Sequence, residues 1–203
     1  MKSFVEFILA SRSQRRRALL TQAGYRFRTV PPALTEPPTP MPGHSSAQLA
    51  EALAYYKARL VHQDHPDQIV LGADTIVACG EEIMGKADDE AQARRMLSRI
   101  SGTRHSVITG LALLMPTPDG KTERMLASEI THVTMRRLSD EEIGQYVTSG
   151  EWRDKAGAYA IQETGDAFIE KLEGSFTNVV GLPMELLERM MAKAAELLSE
   201  RSA

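Results

Sequence analysis

The sequence predicts an α/β protein, and three observations carry that expectation. Short runs rich in β-formers alternate with segments whose apolar residues recur at helical spacing. Ser45-x-x-Gln48 and Ser139-x-x-Glu142 are capping-box signatures that open two of the helices. No internal repeat and no cleanly dividing linker interrupts the mixture, so residues 1–203 suit one domain or one elongated two-lobed domain.

In chain order, Phe4 to Ala10 is a short apolar run that reads as a buried strand. Ala18, Leu19 and Ala23 recur at helical spacing from Arg15, and Gly24 supplies a stop. Tyr25 to Val30 alternates like a strand. Pro31 to Gly43 holds six prolines and reads as an irregular loop, long enough to be expected to be functional or mobile. The helix opened by Ser45 runs to about Val61. Gln68 to Ala78 is β-rich with a break of small residues in its middle. Asp88 to Ile100 is an amphipathic helix, and His105 to Met115 and Arg124 to Met135 read as strands. The helix opened by Ser139 stops at Gly150. Ala167 to Leu172 and Phe176 to Val180 read as strands flanking the turn at Glu173-Gly174. Pro183 starts a C-terminal helix, proline being favoured in the first turn.

Composition excludes several classes. Hydrophobic residues make up 42% and charged residues 25%, ordinary for a globular protein, and the net charge of −3 gives no global field toward nucleic acid or membrane. Cys79 is the only cysteine, which rules out an internal disulfide and fits a reducing compartment. No apolar run approaches about eighteen residues, and no charged segment leads into an apolar one, so a cytoplasmic protein is expected.

Four stretches carry chemistry. Gly80-Glu81-Glu82-Ile83-Met84-Gly85-Lys86-Ala87 matches a phosphate loop in its glycines and Lys86, but it lacks the final Ser or Thr, and its two glutamates would repel phosphate. A turn after a strand is the better reading, with Lys86 reaching a ligand from it. The five histidines show no metal-ligand spacing. Gly72-Ala73-Asp74-Thr75 places an acid between two β-branched runs. Asp74 is either a turn cap or a strand-end carboxylate able to bind a divalent cation or take a proton from water.

The stretch ILASRSQRRRALL sets four arginines, Arg12, Arg15, Arg16 and Arg17, at a helix start, where the helix dipole disfavours cations. A bound polyphosphate would offset that conflict, held by the hydroxyls of Ser11 and Ser13, the forks of Arg15 and Arg16, and free amides. The alternative is a solvated basic turn paired to nearby acids. In the fourth stretch, DKAGAYAIQ, Lys155 and Gln162 flank a small apolar segment where a flat ring could lie. The alternative is an ordinary loop with a surface lysine.

In this order, ASRSQRRRALL, LGADTIVACGEEIMGKADD, LSRISGTRHSVITGLALL, SGEWRDKAGAYAIQ and GSFTNVVGLP resemble the Maf family of nucleoside triphosphate pyrophosphatases over nearly the whole chain. The resemblance implies an elongated α/β fold of the Maf and inosine-triphosphatase kind, with a curved central mixed sheet, flanking helices and a cleft between two lobes. It implies hydrolysis of a nucleoside triphosphate to the monophosphate and pyrophosphate with Mg²⁺ or Mn²⁺. It also implies homodimer formation and, for some members, a link to septum formation. Asp74 matches the family's proton acceptor. Arg16, Thr75 and Gln162 match positions tied to substrate choice, and Ser11, Arg15, Lys57, Lys86 and Lys155 a phosphate-facing set. Glu36 aligns with an acid that helps Asp74 hold metal. DKAGAYAIQ with Asp74-Thr75 resembles the subfamily acting on dTTP and UTP rather than the one acting on 7-methyl-GTP.

The chain departs from the family pattern at Gln14, where proline is usual, at Ala87, and at Ala160, whose methyl narrows the expected base pocket. These departures bear on base preference more than on reaction type. Two other functions stay in view: a non-catalytic nucleotide-binding regulator of cell division, and a pyrophosphatase for a different modified nucleotide.

Overall fold

The computed structural model describes residues 6–33, 43–117, 120–161 and 164–200. It holds a mixed seven-stranded sheet in the order β2 (Phe27–Thr29), β1 (Phe7–Ala10), β3 (Val70–Cys79), β5 (Arg104–Pro116), β6 (Thr122–Met135), β7 (Ile169–Glu173), with β4 (Glu82–Met84) paired to β3. The chain divides into two compact units, residues 1–74, 109–129 and 181–203, and residues 75–108 and 130–180.

The first unit is built on β1 (Phe7–Ala10), which lies parallel to β2 (Phe27–Thr29) and to the start of β3 (Val70–Cys79). Its residues alternate between two apolar clusters. Phe7 and Leu9 pack with Leu20 of α1 (Gln14–Gln22), with Leu71, Leu111 and Leu113, and with Leu187 and Met190 of α6 (Met184–Glu200). Ile8 and Ala10 pack with Val70, Ala112 and Leu114 and with Ala54, Ala58 and Val61 of α2 (Ser46–Asp64). A strand buried on both faces reads as an unbroken apolar run, which explains Phe7-Ile8-Leu9-Ala10.

The helix α2 lies unusually close to the sheet. A Cβ added to Gly72 would sit 2.2 Å from the Ala54 carbonyl oxygen, and one added to Gly110 would sit 2.2 Å from the Ala50 carbonyl carbon. The small residues in Gly72-Ala73-Asp74 are therefore no break in the strand. β3 runs through them without interruption, and glycine is there to admit a helix backbone.

The second unit contains the rest of β3, hairpin-paired to β4 (Glu82–Met84) with Val77 opposite Met84. It also contains α3 (Glu90–Ile100), the first part of β5 (Arg104–Pro116), the last part of β6 (Thr122–Met135) and α4 (Asp140–Ser149). A 3₁₀ turn (Thr164–Phe168), β7 (Ile169–Glu173) and α5 (Phe176–Val180) complete it. Its core joins Val77, Met96, Leu97, Ile100, Val107, Val133, Tyr146, Trp152, Tyr159 and Phe168. Both predicted capping boxes are present, at Ser45 and Ser139. Gly80 and Glu81 form the β3–β4 turn, so the phosphate-loop match is a hairpin.

One element differs from the sequence reading. Phe176–Val180 is predicted as a strand and folds as α5. The Ser175 hydroxyl accepts from the Asn178 amide (3.3 Å), which favours a helical turn. The fully buried Asn178 side chain donates to the Val107 carbonyl (3.0 Å) and to Thr131 Oγ1 (2.9 Å). These tertiary bonds outweigh the β-propensity of Phe-Thr-Asn-Val-Val.

Candidate functional site

In the first unit β1 delivers Ser11 just past its C-terminal end. The Ser11 hydroxyl accepts from the Ser13 amide (3.1 Å), and the Ser13 hydroxyl accepts from the Arg16 amide (3.4 Å) as the N-cap of α1. The first turn of α1 holds no acid. The arginines there are thus not paired to acids within their own turn.

Arg16 is buried, with 9% of its surface exposed. Its fork is engaged by the protein itself. Nε donates to the Gly181 carbonyl (2.7 Å), and Nη1 donates to the Ala73 carbonyl (2.9 Å) and to the Ser11 hydroxyl (3.3 Å). Burial pulls its guanidinium down to about 10; the Asp74 charge opposes that shift and the Arg15 charge adds to it. The group stays protonated at neutral pH. Arg15 itself is half-buried.

Asp74 sits within β3 with 9% of its surface exposed. A carboxylate so placed needs a partner, and Lys57 provides it: its Nζ donates to Asp74 Oδ1 in an ion pair. The lysine reaches the acid because Ala54 and Ala58, one turn before it and one residue after it, are pressed against Gly72. Asp74 is therefore neither a turn cap nor a strand-end carboxylate: it lies in the middle of β3, which runs on to Cys79. Ser11, Arg16, Lys57 and Asp74 are linked through these contacts, with Arg15 adjoining. Thr75 follows Asp74 on the strand and is half-buried.

In the second unit Lys86 follows β4. It bridges to Ala156 in antiparallel fashion, and its Nζ pairs with Asp154 (3.1 Å). The Gly157 amide donates to the Gly85 carbonyl (2.9 Å). Asp154 and Ala158 hold φ of 61° and 62°, and Gly157 holds 67°. Positive φ at two non-glycine residues stores backbone strain that persists only where surrounding contacts over-determine it. Lys155, between them, is 6% exposed and not a surface lysine.

The far end of this loop is fixed by Tyr159, whose hydroxyl shares a 2.7 Å hydrogen bond with His105 Nε2. The two rings meet edge-on at 5.4 Å. Burial pulls His105 down to about 4 and pushes Tyr159 up, so both are neutral across the physiological range.

Glu36 and Gln162 lie outside the described residues. Among the described residues, no group of three or more His, Cys, Asp or Glu is placed to hold a metal ion. Of the two acids expected to hold metal, Asp74 is the one among the described residues, and one or two protein carboxylates, with substrate phosphates and water, can suffice for a divalent cation such as Mg²⁺. No described helix is long and apolar enough to cross a membrane.

The sequence reading missed the carbonyls of Ala73 and Gly181 and the His105–Tyr159 pair. Backbone acceptors leave no side-chain signal. His105 reads only as a strand position, and nothing in its spacing points to a tyrosine more than fifty residues away.

The family model described as Maf-like protein matches residues 6–194. A dTTP/UTP pyrophosphatase of Citrifermentans bemidjiense is 45% identical over 87% of this chain and 89% of its own. A dTTP/UTP pyrophosphatase of Pelotomaculum thermopropionicum is 43% identical over 93% of this chain and 96% of its own. Among solved structures, a nucleoside-triphosphatase, dITP/XTP pyrophosphatase, of Mycobacterium abscessus is 16% identical, with a TM-score of 0.43 over 96% of this chain and 99% of that one.

Proposed function

The chain belongs to the Maf-like protein family, and from that premise we propose that it hydrolyses a nucleoside triphosphate, dTTP or UTP, to the monophosphate and pyrophosphate. The observation that carries the reading is the nearly buried Asp74 carboxylate, ion-paired to Lys57 and standing in the field of Arg16. A carboxylate set among cations that can hold a triphosphate is placed to take a proton from the attacking water.

In this mechanism Arg15, Lys57, Lys86 and Lys155 face the triphosphate, and the Ser11 hydroxyl adds a donor. Asp74 takes a proton from the water that attacks the α-phosphorus. Pyrophosphate leaves with its charge spread over the cations. Catalysis of this kind rests on positioning and electrostatics. A divalent cation, held by Asp74 and Glu36, would neutralise phosphate charge and acidify water. Thr75 and Gln162 hydrogen-bond the pyrimidine edge, since an amide and a hydroxyl both donate and accept. The cytoplasmic homodimer and the link to septum formation belong to the same proposal.

The test is pyrophosphate release from dTTP, UTP, CTP, 7-methyl-GTP, the purine triphosphates and 5-methyl-UTP with Mg²⁺ or Mn²⁺. Asp74→Asn is run alongside. Selective turnover of dTTP and UTP, reduced about a hundredfold or more in the variant, is expected. Turnover of a different nucleotide alone overturns the specificity. Turnover of none, with nucleotide still bound, points to a regulator.

A further inference from the structure

The mechanism above gives no task to GSFTNVVGLP, and it leaves Arg16 with most of its fork already committed to the protein. They meet at Gly181, which belongs to the first unit together with Arg16. Arg16 Nε donates to the Gly181 carbonyl at 2.7 Å, and Nη1 donates to the Ala73 carbonyl at 2.9 Å. That second carbonyl belongs to the peptide that ends in Asp74. Holding it fixes the peptide plane from which the catalytic carboxylate departs. The other end of the strut is also specified. Gly181 lies at φ 116°, a conformation that residues with a Cβ rarely adopt. The following Leu182 is fully buried in the core of this unit, so the turn has no room to drift.

We infer that Arg16 and Gly181 form a positioning device for Asp74, in which the arginine ties the Ala73–Asp74 peptide to the Gly181 carbonyl instead of gripping the triphosphate or reading the base. This rests on the reading of Asp74 as proton acceptor. A planar guanidinium suits the task because it spans two carbonyls in one rigid fork, whereas an ammonium presents a point charge. The conflict of a cation at a helix start is resolved here partly by carbonyl dipoles of the protein.

The test is steady-state kinetics of Arg16→Lys, Gly181→Ala and the double variant on dTTP, UTP and CTP. The folded state is checked by near-ultraviolet dichroism and thermal melting. The competent fraction is counted by titration with a non-hydrolysable triphosphate analogue. Per competent site, kcat is expected to fall about 30-fold or more in Arg16→Lys and roughly tenfold in Gly181→Ala, against the roughly 100-fold that a misplacement of about 1 Å can cost. KM should stay within about threefold, and the ratios among the three nucleotides should not change. The double variant should lose little beyond Arg16→Lys, because both changes break one contact.

A tenfold rise in KM with kcat kept would make Arg16 a phosphate ligand and overturn the inference. A changed ratio among nucleotides would make it a base reader and do the same, as would normal kcat in Gly181→Ala. Should Arg16→Lys fail to fold, Gly181→Ala and Gly181→Ser carry the test. Wild-type protein inactive on all three nucleotides takes down the proposed function and this inference together. Active wild type with unimpaired variants sinks the inference alone.

Discussion

Lys57 from the middle of α2 and Asp74 from β3 form an ion pair whose side chains are only 14% and 12% exposed. Each charge is kept inside by the other. Removing one partner strands the survivor, and removing both does not. Lys57→Met is expected to lower stability by about 2 kcal/mol, below the usual cost for a deeply buried pair because Arg16 keeps one cation near the acid. Lys57→Met with Asp74→Asn should regain most of that loss while remaining inactive. Urea unfolding of the two single variants and the double checks this. Strict additivity would show that the pair is not coupled.

The reach of Lys57 depends on how closely α2 approaches the sheet. Gly72→Ala puts a methyl 2.2 Å from the Ala54 carbonyl oxygen and 2.9 Å from the Ala58 Cβ. Backbone and a buried methyl cannot swing away, so α2 has to shift. The expected cost is about 3 kcal/mol, the upper part of the range for overpacking. Turnover should fall as well, since the ion pair moves with the helix. Gly85→Ala is the control, because a Cβ there meets nothing within 4 Å. Its melting temperature should stay within a few degrees of wild type. Similar melting of the two variants would contradict the close-approach argument.

Much of the fold was legible because local signals agreed with the tertiary outcome. The capping boxes at Ser45 and Ser139 mark helices that form, and the apolar run at β1 is a strand buried on both faces. Reading failed where distant atoms decide. Asn178 turns Phe176–Val180 into a helix through the Val107 carbonyl and Thr131, and no local pattern announces either partner. Of the residues expected at the site, Ser11, Arg16, Lys57 and Asp74 do come together. What each does was less legible. Four arginines within six positions say only that positive charge gathers there, not that one of them is committed to Gly181 and Ala73.

Gln162 and Lys155 separate the two halves of recognition on the proposed reading. Gln162→Ala should weaken discrimination among dTTP, UTP and CTP more than it weakens triphosphate binding, because an amide reads a base edge. Lys155→Met should do the reverse, raising KM for all three alike. Competition by free pyrophosphate gives a readout independent of the base. Equal loss on every nucleotide in Gln162→Ala would contradict its role.

His105 gives the chain a defined acid sensitivity. The fold holds the imidazole neutral, at about 4 against an ordinary 6.5, because burial penalises the charged form. The unfolded chain therefore binds one more proton than the native state between those two values. Stability is full above about pH 6.5 and falls as pH drops toward 4, by about 3 kcal/mol in all. The contribution of Glu142, pulled down to about 2 mainly by its hydrogen bond from Arg136, lies lower, below about pH 4.5. His62, whose imidazole burial also pulls down, contributes with the same sign. His105→Gln has no proton to gain and can still hydrogen-bond Tyr159. It should unfold in urea with a midpoint that changes much less between pH 6.5 and 4.5 than that of wild type. An unchanged pH slope in His105→Gln would mean that the histidine is not held neutral by its burial against Tyr159.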